Sequence, residues 1–113
     1  MPKRTDKLLI DDMIKAIEEI NDFVAGYDYS MFLSDAKTKA AVVRNLEVIG
    51  EASILVSEPL QLQFPLIEWK NMRLFRNKLI HEYFGIDYGI VWNVIQNELP
   101  KNLEMLKRLH TVI

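Results

Sequence analysis

The sequence predicts an all-α fold, an antiparallel bundle of four to five helices forming one domain over residues 1–113. Three observations point there. Apolar residues recur at three- and four-residue steps along nearly the whole chain, the spacing of one helix face. No stretch alternates apolar and polar residues as a half-buried strand does. Only four glycines and four prolines interrupt 113 residues, and no segment is low in complexity, so the connections are short.

The elements follow in order. Ile10, Met13, Ile14, Ile17, Ile20 and Val24 stripe a first helix, with Thr5 as its N-cap and Gly26 as its C-cap. Residues 27–33 read as a loop with aromatic anchors. Ser34 caps a second helix, and Asp35 lies favourably near its positive end. Val42, Leu46, Ile49 and Val56 share one face of that helix, which fades near Pro59. A connecting stretch at 59–65 leads to a third helix that starts within 66–69 and runs to about residue 84. Gly85 ends it. Asp87 caps a fourth helix carrying Ile90, Val91, Val94 and Ile95. Pro100 cannot sit in a straight helix interior without losing a hydrogen bond and clashing with the previous turn. It therefore kinks that helix or begins a last one, along which Leu103, Leu106 and Leu109 continue the apolar face.

Composition removes several classes of function. Half of the residues are hydrophobic, enough for a real core. There is no cysteine, which excludes disulfides and thiolate metal sites. A net charge of −2 argues against coating nucleic acid through bulk charge, so any such contact needs a local basic patch. No apolar run approaches the length of a membrane span, and the first residues lack an apolar signal core. The expectation is a cytoplasmic protein without a membrane partner.

The patch exists. In WKNMRLFRNKLIHEY, residues 69–83, Met72, Phe75 and Leu79 cluster on one helix face and must be its core side. Lys70, Arg73, Asn77 and His81 form a polar row on another face, ending in an imidazole. Arg76 and Tyr83, seven residues apart, lie nearly above one another at the border. Between Lys70 and Lys78 there are four cations and no acid, a run suited to a phosphate backbone. Each residue also has an ordinary reading. A late histidine can interact with terminal carbonyls, a lone arginine is usually solvated, and a tyrosine at a helix end is usually a core edge.

Arg76-x4-His81-x-Tyr83 resembles the signature of the HepT-like branch of the HEPN superfamily. VVRNLEVIGEAS (residues 42–53), FPLIEW (64–69), YFGIDYGIVW (83–92) and NELP (97–100) are similar to that branch in order and spacing. The resemblance covers roughly residues 5–110. Leu74 and Phe75 stand where a smaller or more flexible pair is usual, and Glu82 fills the variable slot. Neither departure touches a motif position.

The resemblance implies a HEPN-like, dimeric bundle acting as a metal-independent endoribonuclease, the toxin of a HepT/MntA-type toxin–antitoxin system. It implies no cofactor and attack by the RNA's own 2′-hydroxyl. That chemistry wants a base for the hydroxyl proton, an acid for the leaving oxygen and a cation beside the phosphorus. Imidazole exchanges protons near neutral pH and suits both proton roles, but one imidazole cannot readily serve both sides of one phosphate. His110 lies in the tail. Arg76 and His81 project about 140° apart on one helix. A two-fold homodimer would bring both pairs to a shared cleft. His81 is then the general acid/base, Arg76 the phosphate clamp, and Asn77 an orienting group beside Arg73 and Lys70.

The resemblance further implies that a cognate nucleotidyltransferase antitoxin attaches AMP to Tyr83, setting bulk and negative charge next to Arg76. The alternative is a catalytically idle HEPN domain serving as a nucleotide-binding adaptor of a nucleotidyltransferase. Arg44, Glu47 and Glu51 are spaced as an ion-pair row on the second helix, with Arg44 or Asn45 lining the cleft as the rival reading. A metal site from Glu47, Glu51 and His81 would need distant helices to converge. Trp69, Trp92, Met13, Met72 and Met105 are expected in packing roles.

Overall fold

The computed structural model describes residues 3–81 and 85–113 and is all-helical, with no strand among them. Helix α1 spans Asp6–Phe23. Thr5 caps it, its hydroxyl accepting from the Leu8 amide at 3.3 Å. Leu9, Ile10, Met13, Ile14, Ala16, Ile17 and Ile20 form its buried stripe. The helix stops at Phe23 with Val24 as the C-cap, earlier than expected. Gly26 follows two residues later at φ 77°, the left-handed conformation a side chain would strain.

Residues 27–33 are not a plain loop. Asp28 accepts from the Met31 amide at 2.8 Å and starts the short helix α2, Tyr29–Ser34. One helical turn is not stable alone. Here the fully buried Phe32 packs on Tyr88 and Trp92, with ring centroids 6.2 and 5.2 Å away.

The cap of α3, Ala36–Leu55, is Asp35 and not Ser34, which ends α2. The Asp35 carboxylate accepts from the Thr38 amide at 3.0 Å, the Thr38 hydroxyl at 2.8 Å and the Tyr27 hydroxyl at 2.6 Å. The Tyr27 hydrogen bond first, then those from Thr38, hold its pKa down at about 2.

The expected connection at 59–65 also holds a helix, α4, Glu58–Gln63. Pro59 sits in its first turn, where a missing N–H costs nothing. Buried Leu60 anchors it. Helix α5, Trp69–His81, is followed by residues 82–84, so the expectation that the helix reaches residue 84 lies outside the described residues.

Asp87 caps α6, Tyr88–Asn93, through the Gly89 and Ile90 amides at 2.9 and 3.2 Å. A π-helical turn, Val94–Glu98, then joins α6 to α7, Leu99–His110, with right-handed helical backbone at both junctions. The Leu99 amide donates to the Val94 carbonyl, one residue further back than in an α-helix. Pro100 falls in the first turn of α7, just after this widened turn.

Helix α1 packs between α3 and α7, and α5 packs on α3. Asp6 meets Ser57, accepting from its amide at 2.9 Å, while Asn45 reaches Ala16 and Glu19. These pairings run in opposite senses, so α1 and α3 are antiparallel. No helix among the described residues is long and apolar enough to cross a membrane.

Candidate functional site

Helix α5 takes the orientation its periodicity requires. Leu79 is buried, Met72 and Phe75 are half-buried against the core, and Lys70, Arg73 and His81 are exposed. His81 is the last residue of α5, with Lys78 in the same turn.

Arg76 is different. Its stem lies against Gly50 of α3. A Cβ built on Gly50 would stand 2.2 Å from the Arg76 Cβ, 2.8 Å from its Cγ and 3.0 Å from the Met72 carbonyl oxygen. The two helices touch here only because residue 50 has no side chain. The Arg76 Nη1 donates to the Asn77 Oδ1 at 2.9 Å, and its Nε is buried with no hydrogen-bond partner among the described residues. Stem and head are thus both held, and the guanidinium carries an unused buried donor.

Asn77 engages Arg76 through its side-chain oxygen, within one chain. Tyr83 lies outside the described residues. Lys70 and Arg73 stay on the solvent face with no ion-pair partner among the described residues. The site therefore has two flanks of one helix: Arg76 facing α3, and Lys70, Arg73 and His81 facing solvent.

On α3, Arg44 pairs with Glu47 at 3.8 Å, the ion-pair spacing expected there. Asn45 does not line a cleft beside Arg76. Its Nδ2 donates to the Ala16 carbonyl at 3.2 Å and to Glu19 Oε1 at 3.1 Å, joining α3 to α1. Among the described residues no three His, Asp or Glu side chains converge as metal ligands. Trp69 is buried and donates its indole N–H to the Phe64 carbonyl at 3.0 Å. Trp92 packs on Phe32 and Tyr29. Both are packing aromatics.

Gly50 is the residue that the sequence did not flag. Its only signal was a glycine in the middle of an otherwise strong helix, a position with a propensity cost that usually has a packing reason.

A helical bundle that presents a basic helix with one restrained guanidinium and one exposed imidazole is compatible with the small HEPN-type ribonucleases that the sequence resembles. Residues 13–109 match the family described as Ribonuclease HepT-like, and the chain belongs to that family. It is 38% identical to a protein of Methanocaldococcus jannaschii named "Putative RNase MJ0127" over 109 residues, 96% of this chain and 90% of that one. It is 40% identical to the "Probable ribonuclease HepT" of Thermococcus cleftensis over 98 residues, 87% of this chain and 89% of the other. No solved structure matches the chain.

Proposed function

We propose that this member of the HepT-like ribonuclease family is an endoribonuclease whose working site is shared by two copies of the chain. The observation that carries the proposal is the restrained Arg76, with its stem seated on Gly50, Nη1 on Asn77 and Nε unpaired among the described residues. A cation fixed before substrate arrives stabilises charge developing on a phosphate without reorganising in the reaction.

In the proposed reaction, an imidazole takes the proton of an RNA 2′-hydroxyl, and that oxygen attacks the adjacent phosphorus. The bond to the 5′-oxygen breaks, a second imidazole donates a proton to that oxygen, and a 2′,3′-cyclic phosphate remains. Arg76 balances the added negative charge. Lys70 and Arg73 attract the backbone, which carries no base information, so the site itself need not select a sequence. His81 is exposed on α5 and is the one imidazole there among the described residues, and a two-fold dimer supplies the second imidazole. The protein acts in this proposal as the toxin of a toxin–antitoxin pair in the cytoplasm. A nucleotidyltransferase antitoxin silences it by attaching AMP to Tyr83, seven residues from Arg76 and two from His81, where the phosphate charge repels RNA.

The test is cleavage of RNA by purified protein with chelator present, alongside a matched DNA. RNA should be cut, DNA left intact, and His81→Ala should abolish cutting while retaining helicity. Cleavage of DNA, or full activity in the variant, overturns the assignment.

A further inference from the structure

Helix α5 packs on α3 but stands away from the π-helical turn and the start of α7. An open groove of about 430 Å³ lies between them. Its walls are apolar, with Leu46, Met72, Phe75, Val94 and Leu99 among them. Its size falls in the range of sites for single small molecules.

Two further observations bear on what it holds. Asn102 lines the groove, is only 5% exposed, and its Oδ1 is buried without a hydrogen-bond partner among the described residues. A buried acceptor left unpaired costs free energy that a donor from a ligand would recover. Val94 and Glu98, the two ends of the π-turn, also line the groove. Such turns recur at functional sites because they re-aim side chains.

The polar groups define the ligand. Half-buried Glu68 and Glu98 line the groove nearer solvent than Asn102, opposed by exposed Lys78 alone. Asn71 occupies one Glu68 oxygen at 2.7 Å, and Glu98 makes no ion pair among the described residues. Two carboxylates repel a phosphate backbone, although Leu74 and Lys78 of the groove wall share His81's side of α5. This is not a subsite for the RNA strand.

We infer that the groove between α5 and the π-turn binds a small heteroaromatic amine, a flat ring bearing an N–H donor and a cationic tail. The ring fills the apolar walls, the Asn102 side chain turns its Oδ1 into the groove to accept from the ring N–H, and the ammonium group sits between Glu98 and Glu68. The inference needs nothing from the ribonuclease assignment, and its test involves no RNA cleavage.

Tryptamine is the probe, with 1-methyltryptamine, 3-ethylindole and indole-3-acetate as counterparts lacking the N–H, the charge, or carrying the opposite charge. Binding to the full chain is followed by ¹H–¹⁵N spectra. Tryptamine should saturate shifts of Leu46, Phe75 and the Asn102 side-chain amide. 1-Methyltryptamine should bind about fivefold more weakly or worse, the worth of one hydrogen bond to a buried acceptor. 3-Ethylindole should also weaken, and indole-3-acetate should not bind. Asn102→Leu should abolish the discrimination between tryptamine and its 1-methyl form, and Glu98→Gln should reduce the advantage of the charged probe. Equal binding of the methylated and unmethylated probes overturns the inference, as does tryptamine shifting only residues outside the groove or failing to saturate. An RNA oligonucleotide that shifts the groove residues overturns it in favour of a strand-binding site.

Discussion

Replacing Gly50 by alanine puts a methyl group into the α3–α5 contact. Carbon atoms settle about 3.5 Å apart or more, and the new methyl would meet the Arg76 Cβ at 2.2 Å. That atom is attached to the backbone and cannot swing aside, so the helices must part by about 1.3 Å. Overpacking of this kind costs about 1–3 kcal/mol. The Arg76 Cβ is fixed to the backbone, which puts this site at about 2–3 kcal/mol; alanine recovers about 1 kcal/mol through its better helix propensity, leaving a net loss of about 1–2 kcal/mol. The melting temperature should fall by about 5–10 °C for a domain of this size.

A double-mutant cycle in urea isolates the contact. Arg76→Ala retains the offending Cβ and should not relieve Gly50→Ala. Arg76→Gly removes it, so Gly50→Ala should cost far less in that background, with a coupling of about 1–2 kcal/mol. RNA cleavage should fall further than stability does, because the displaced stem carries the guanidinium. A Gly50→Ala protein as stable as wild type, or one whose loss simply adds to that of Arg76→Gly, would refute the close-contact argument.

Asn77→Ala removes the acceptor of Arg76 Nη1 and should lower cleavage about tenfold, whereas Asn77→Asp keeps an oxygen there and should retain most activity. Equal activity in both variants would show that the guanidinium needs no such anchor. Asp35, with its pKa lowered to about 2, stabilises the fold above the ordinary carboxylate pKa of about 4, and that contribution is lost as pH falls through about 2. Tyr27→Phe removes the largest cause, so the Asp35 carboxyl should titrate at higher pH by ¹³C NMR; an unmoved midpoint contradicts this. Mixing Arg76→Ala or His81→Ala protein with wild type should depress cleavage through heterodimers, and heterodimers in which the wild-type subunit keeps its full specific activity would show that each chain works alone.

Periodicity made the orientation of α5 legible. Met72, Phe75 and Leu79 on one side and Lys70, Arg73 and His81 on the other follow from 3.6 residues per turn. Other features depend on contacts with partners distant in sequence. Helix α2 exists because Phe32 finds Tyr88 and Trp92 some 60 positions away. Ser34 and Asp35 are both competent caps, and the Tyr27 hydroxyl aimed at Asp35 distinguishes them. Asn45 looked like a surface polar residue until α1 supplied its acceptors. Gly50 and Asn102 carry meaning only through what lies opposite, an arginine stem in one case and an open groove in the other.

The placement of α1 between α3 and α7 has a consequence for synthesis. A chain leaving the ribosome can pair α1 with α3 early, and Asp6 can meet Ser57 as soon as both have emerged. The stripe of α1 stays open on its other side until Leu106 and Leu109 of α7, both fully buried, arrive. Helix α5 is translated well before that seal forms. A chain that stops before α7 would therefore leave an exposed apolar furrow, and such a product is a substrate for proteolysis instead of a slightly shortened protein.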